Sequence, residues 1–365
     1  MTLTSKYVPD LSRLEFHRRT PEISLEKHMR HMRIQLGEML ASTQRIYLDL
    51  RFWILLRDVS IGRSDDSTIS HLLTYLRDSV RQGKTICPIS DTIFIELLKQ
   101  SDESTRFATA KLIDELSMGV TLIPFDDRVR QELCNSLFEQ AGVADLIPTN
   151  ILVWNKLAYV LGEVHPHDFG LSPEEELAVQ KSIADEMWEV PLTEMVSLIG
   201  ERKNDSNWNS IANRLNLESR VHQATIGSYT QAFRAEFEGS FSLFKADVNK
   251  ILKESDKYGG SEFGAKLAHL SPNKRFETFV RSVPTLHIHA SCHAAVRWDQ
   301  KRNLTGNDLL DFHHAHAALA YCDVFLTEKP LSSMLAQHHL GLSKYKCQTF
   351  WSPGAALSWL LANSN

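Results

Sequence analysis

Asp49, Glu96, Asp308, Asp311 and Glu328 are placed in this chain as acids that share a cation would be. Asp49 closes the apolar run Ile46-Tyr47-Leu48, and Glu96 interrupts the apolar helical pattern DTIFIELLKQ. Asp308 and Asp311 open the run LLDFHHAHAALAY, and Glu328 follows the strand-like Val324-Phe325-Leu326-Thr327. Open α/β sheets gather their ligands at the carboxyl ends of strands. A carboxylate buried there is costly unless something compensates its charge. Several such acids together repel one another, and a divalent cation relieves that repulsion. An all-oxygen donor set suits Mg²⁺ or Mn²⁺ better than zinc. Plainer readings stand beside this one. Asp49 can cap the helix that follows, and Glu96 can sit in a structural salt bridge. Asp308, one helical turn before Asp311, is either a cap or a sharer of the metal.

Histidines offer a second chemistry. HIHASCH supplies His287, His289 and His293, and HHAH supplies His313, His314 and His316. On a helix, residues two apart face different directions, which leaves His289 with His293 as the pair suited to one ion. Without a Glu or Cys context that matches a zinc motif, zinc is the weaker expectation. His314 follows Asp311 by one turn and is the histidine expected to touch the acids or a substrate.

The elements that must hold these residues read as strand, helices, strand, helices, strand. Strands are expected at 46–48, 85–87 and 120–125, with helices at 67–82, 91–100 and 105–118 between and after them. This alternation implies right-handed crossovers and a parallel sheet. From Asp127 to about Val283 the periodicity is almost wholly helical, including the stretch around Trp154 to Leu161. From Pro284 the α/β pattern returns: helices over 286–299 and from 309, strands at 324–327 and 347–351, and a last helix over 353–361. At the N-terminus a helix from Ser24 to Leu40 would bury Met29, Met32, Leu36, Met39 and Leu40, with His28, Arg30, His31 and Arg33 on a solvated face or facing phosphate. KNDSNW (Lys203 to Trp208) and the mixture Tyr229, Phe233, Arg234, Phe237, Phe241, Phe244 and Lys245 could stack bases, although phenylalanines at helical spacing belong more often to a core.

With order and context added, the chain resembles the PIN-domain family of metal-dependent ribonucleases. YLDLRFW carries the first acid, Asp49; PISDTIFIELL the second, Glu96; and NDLLDFHHAHAALAYCDVFLTEK the third, Asp311, with the fourth close by. Glu328 is the fourth acid favoured by geometry, ahead of Asp308 and of Asp323, which precedes its strand. The resemblance implies an α/β fold, a PIN-like three-layer α/β/α arrangement around a central parallel sheet, interrupted by a large all-α insertion. The corresponding divisions are an N-terminal helical arm (1–41), a first PIN-like part (42–125), the insertion (126–283) and a second part (284–365). It further implies hydrolysis of phosphodiester bonds with Mg²⁺ or Mn²⁺ held by Asp49, Glu96 and Asp311 with Glu328 or Asp308. Arg51, Thr327, Lys329 and His314 would contact substrate. RNA is expected ahead of DNA, in a toxin or defence effector; the alternative is an inactive PIN-like scaffold that binds RNA or protein.

Composition sets the outer bounds. The 365 residues are 43% hydrophobic and 23% charged, as in an ordinary globular chain. A net charge of -5 argues against bulk electrostatic binding of nucleic acid while leaving room for a local basic groove. Five widely spaced cysteines without a CxxC pair suit free thiols in a reducing compartment. No apolar run is long enough to span a bilayer, and the first residues lack a signal-peptide core, so a cytoplasmic protein is expected. The apolar helical stretch also suggests a homo-oligomer, most simply a dimer.

Overall fold

The structure, a computed structural model, describes residues 11–199, 208–222, 226–255, 274–299 and 302–363. Residues 1–10 of the expected arm, Lys203 to Asn207 of KNDSNW and the Gly259-Gly260 pair lie outside these. The arm contains α1 (Leu11–Arg18) and α2 (Leu25–Leu40). Then follow β1 (Gln44–Leu48), α3 (Leu50–Ser60), α4 (Ser67–Arg81), β2 (Thr85–Ile86), α5 (Asp91–Leu98), α6 (Glu103–Ser117) and β3 (Val120–Leu122). The middle of the chain holds α7 (Phe125–Gln140), α8 (Thr149–Leu152), β4 (Trp154–Lys156), α9 (Pro173–Glu189), α10 (Leu192–Ile199), α11 (Trp208–His222), α12 (Tyr229–Ser242), α13 (Lys245–Ser255) and α14 (Lys274–Ser282). The final part is α15 (Pro284–Trp298), α16 (Gly306–Tyr321), β5 (Val324–Leu326), α17 (Lys329–Leu335), β6 (Gln348–Phe350) and α18 (Pro353–Ala362).

Four of the strands form a small parallel sheet in the order β2-β1-β5-β6, within a chain that is otherwise mostly helical. The class is α/β with a large helical component. Ile46, Tyr47 and Leu48 in β1 and Val324, Phe325 and Leu326 in β5 are all fully buried, as expected of central parallel strands covered on both faces. Arg45 fixes their register at the amino end. Its guanidinium donates to Asp323 at 2.9 and 3.0 Å, and its backbone N–H donates to the same carboxylate at 2.8 Å.

The structure corrects three expectations and bears out a fourth, that the phenylalanine stripe is core. The strand expected at 120–125 ends at Leu122, and it joins the parallel sheet only through a bridge from Thr121 to Ile89. Its true partner is β4, antiparallel, in a stretch expected to be helical, so the segment 126–283 is not all-α. The apolar spacing of Trp154, Leu157 and Val160 imitates a helix, yet pairing with β3 decides the outcome. Met39, expected in the core, is 62% exposed, whereas Met29, Leu36 and Leu40 are buried as expected, with Gly37 beside them. Phe237 and Phe244 are buried against Val129, Leu133 and Leu286, so this aromatic stripe is core and no base-stacking platform.

Helix α15 is a wall shared by two cores. Ile288 and Cys292 face the core of the sheet, while Leu286 and Ala290 face the phenylalanine-rich core of α7, α12 and α13. All five cysteines are free thiols, and among the described residues no helix is long and apolar enough to cross a membrane.

Gly37 shows how closely the arm is seated. A Cβ built there would come within 2.1 Å of the Ile151 carbonyl oxygen in α8. Backbone cannot retreat as a flexible side chain does, so Gly37→Ala should destabilise the protein by about 1–3 kcal/mol. Urea unfolding midpoints measure this, and an unchanged midpoint would show that α2 and α8 separate at little cost.

Candidate functional site

Register decides which side chains meet at the carboxyl edge. Leu48 stands opposite Leu326, and the Asp49 N–H donates to the Leu326 carbonyl at 3.0 Å. Asp49 and Thr327, the next residues along, therefore leave the sheet side by side. Asp49 is 5% exposed, and its Oδ1 accepts the Phe52 N–H at 3.1 Å as the N-cap of α3. One oxygen serves the cap, so capping and a role in the site are compatible.

The third and second acids approach from α16 and α5, which pack against each other. His314 links them. Its Nε2 lies 2.8 Å from Glu96 Oε2, and its Nδ1 lies 3.0 Å from the Tyr47 hydroxyl. That hydroxyl lies 2.7 Å from Ser90 Oγ. Burial works to lower the His314 pKa, but Glu96, Asp49 and Asp311 outweigh it and hold it above the ordinary value. When protonated, the ring donates from both nitrogens, to Glu96 and to Tyr47, and Tyr47 passes its hydrogen to Ser90.

The acids feel one another. Burial pushes the Asp49 carboxyl up to about 6; His314, the Phe52 N–H and Thr327 oppose the rise, and Glu328 adds to it. Burial likewise pushes Asp311 up to about 7, with Glu328, Asp49 and Asp308 adding and His314 opposing. Glu328 itself is exposed at the head of α17. Raised carboxyls crowded at one sheet edge are what a hard-cation site requires. The set is loose, however: among the described residues, no three of these acids bring ligand atoms within 4.8 Å of one another.

The other expected residues divide. Asp308 spends both oxygens locally, Oδ2 on the Thr305 N–H at 2.8 Å in a capping box and Oδ1 on Arg302. Despite burial, these bonds hold its pKa below the usual carboxylate range. Asp308 is therefore a helix-capping residue in this structure, and Asp323 is the partner of Arg45 at the opposite edge. The Thr327 hydroxyl is buried with no partner at hydrogen-bonding geometry, next to Asp49. Arg51 and Lys329 are exposed, stacked on the rings of Phe52 and Trp351 at 5.5 and 5.0 Å.

On the other side of α16 lies a layer of histidines. The rings of His289 and His293 are 4.4 Å apart and those of His313 and His316 are 4.8 Å apart; His289, His313 and His316 surround Phe125, while His293 packs on Phe312. Burial lowers the pKa of all four, to about 4 for His293 and His313. These are neutral packing rings, with His316 Nδ1 accepting from Arg128 at 3.1 Å. Sequence reasoning passed over Asp91, whose Oδ1 is buried without a partner and whose charge acts on His313. The signal was present: Asp91 opens a helix soon after β2, much as Asp49 caps the helix that follows β1. Tyr47 was read only as an apolar strand residue, although a buried phenol needs a partner.

Comparison with known proteins gave no matching family model, no similar curated protein and no similar solved structure.

The raised Asp49 carboxyl penalises the metal-free fold. With a folded pKa near 6 against 3.8, the folded state binds more protons between those values, so stability falls as pH rises through that window. Asn in its place keeps the cap and removes the charge. Metal-free Asp49→Asn should therefore match the parent near pH 4 and exceed it by about 2 kcal/mol near pH 8. Urea unfolding across pH checks this; parallel profiles for the two proteins would contradict it.

Proposed function

We propose that this chain is a PIN-like, metal-dependent nuclease that hydrolyses phosphodiester bonds, in RNA more readily than in DNA. The observation that carries the reading is the convergence of Asp49, Asp311, Glu96 and Glu328 on the carboxyl edge of a parallel sheet, with Asp49 and Asp311 raised by burial and mutual repulsion. The three-layer arrangement, with the segment 126–283 as an insertion, belongs to the same proposal. Asp49 and Asp311, with Glu96 or Glu328, supply hard oxygen donors. A Mg²⁺ or Mn²⁺ ion bound there would lower the pKa of a coordinated water and neutralise charge on the attacked phosphate.

The chain's own groups do the rest. His314 fixes the Glu96 carboxylate through Oε2 and leaves Oε1 without a hydrogen bond to that ring. Thr327 offers a buried hydroxyl beside Asp49, whose pKa it helps to hold down, suited to a ligand oxygen or a phosphate oxygen. Arg51 and Lys329 are exposed cations next to the first and fourth acids in sequence, suited to phosphate contacts.

One observation favours a second reading, a PIN-like scaffold without catalysis. His314 lies among the acids with its pKa raised by them, and the acids do not close into a tight ligand set. One experiment separates the two: labelled RNA and single-stranded DNA with Mn²⁺, Mg²⁺ or EDTA. The nuclease reading expects metal-dependent cleavage that falls at least about a hundredfold in Asp49→Asn and in Asp311→Asn. Intact substrates under every condition, with no Mn²⁺ binding by calorimetry, would leave the scaffold reading in its place.

A further inference from the structure

A second cluster of ligand-bearing side chains lies where the N-terminal arm meets α9. Asp185 of α9 receives two imidazoles on its two oxygens. His17 Nε2 of α1 lies 2.7 Å from Oδ2, and His28 Nε2 of α2 lies 2.7 Å from Oδ1. The two rings meet edge to face, with centroids 4.9 Å apart. Among the described residues, these are the three His, Cys, Asp or Glu side chains whose ligand atoms all lie within 4.8 Å of one another. The site is enclosed: the side chains of His17, His28 and Asp185 are 2%, 17% and 19% exposed.

One further observation points to a ligand. His165 lies within electrostatic reach of His28, and its Nε2 is buried with no hydrogen-bond partner. Such an atom is rare inside a protein unless something is meant to meet it. The nearby cation, Lys181, directs its Nζ to the Thr20 carbonyl at 2.8 Å, which ties the same arm to the same helix. Two or three imidazoles with one carboxylate form a borderline donor set, and tetrahedral Zn²⁺ is the ion it suits. The acid edge, all oxygen, suits a different ion.

We propose that His17, His28 and Asp185 form a structural Zn²⁺ site, with His165 as the fourth ligand, that fastens α1 and α2 to α9. On binding, each imidazole gives up the Nε2 proton that now reaches the carboxylate, to solvent or to its own Nδ1, so that a neutral ring protonated on Nδ1 offers its Nε2 lone pair. The carboxylate, now accepting from both rings, turns to the metal. Because α9 is far in sequence from α1 and α2, binding closes a long stretch of chain and stabilises the folded arm. The inference is independent of the proposed nuclease activity, since it shares no residue with the acid edge.

The test uses full-length protein freed of metal with a chelator and titrated with Zn²⁺ or Co²⁺. One Zn²⁺ should bind per chain and raise the melting temperature, and Co²⁺ should give the visible absorption of a tetrahedral complex. Asp185→Asn keeps an acceptor for the histidines and should fold, yet its Zn²⁺ affinity should fall by more than about tenfold. His28→Gln should do the same, and His165→Ala should alter the Co²⁺ spectrum. Asp49→Asn should leave Zn²⁺ binding unchanged. Absence of Zn²⁺ binding, or binding that Asp185→Asn leaves intact, would overturn the proposal and make Asp185 a hydrogen-bonded bridge between two histidines.

Discussion

Keeping several carboxylates together at a mostly buried edge is the constraint on which the rest of this structure turns. Each acid taken out of water loses hydration, and each neighbour of like charge makes ionisation harder. His314 is the internal answer. It lies between Glu96, Asp49 and Asp311, and their fields outweigh the burial that would otherwise keep it neutral. Its ring cannot turn freely, because Tyr47 holds Nδ1 and Ser90 in turn holds the Tyr47 hydroxyl. A residue of the central strand thus steadies the imidazole that lies among the acids. The four histidines on the far side of α16 lack such carboxylate neighbours at bonding distance and are held below their ordinary pKa by burial.

Positioning depends on a few long-range ties. Arg45 and Asp323 clamp the amino ends of β1 and β5, and the Asp49 N–H closes the carboxyl end on Leu326. Between these ties the pairing of Ile46 with Val324 through Leu48 with Leu326 has no freedom to slip. A slip of one residue would turn Asp49 away from Thr327 and reverse the faces of every side chain in β1. The helical stretch between the two halves does not loosen this arrangement, because α15 belongs to both cores and carries packing from one to the other.

Much of the edge was legible in the sequence because it rests on local pattern. An apolar run ending in Asp49, a lone Glu96 among Ile and Leu, and an Ala-rich helix carrying Asp311 and His314 all declare themselves within a dozen residues. What stayed hidden depends on partners remote in the chain. β4 exists because β3 needs a neighbour, and nothing in WNK alone announces a strand. Helix α1 is short, and ion pairs such as Arg18 with Glu175 hold it on α9. His28 read as one of several solvated cations, while its real partner, Asp185, is on another helix. Asp308 was ambiguous for a different reason: Thr305 and Arg302 are local, but whether an acid at the start of a helix caps or ligates depends on where its oxygens point.

The proton populations at the edge bear on how it would receive a cation. Near neutral pH the Asp311 carboxyl, pushed to about 7, is partly protonated, and Asp49, pushed to about 6, is only slightly so. Protons and a divalent ion answer the same need, since both reduce the repulsion that raised those values. A cation entering the edge therefore competes with protons on Asp311 and Asp49 and displaces them, so its affinity rises with pH until both carboxyls are ionised. A protonated His314 works against the ion in the same way, because an imidazolium supplies part of the compensating charge, and the acids favour that form. Yet its bond to Glu96 Oε2 draws that carboxylate toward α16 and restricts it to one orientation. The residue that weakens attraction for a cation is thus also the one that readies a donor for it, and the balance between these effects sets how open the edge is to metal.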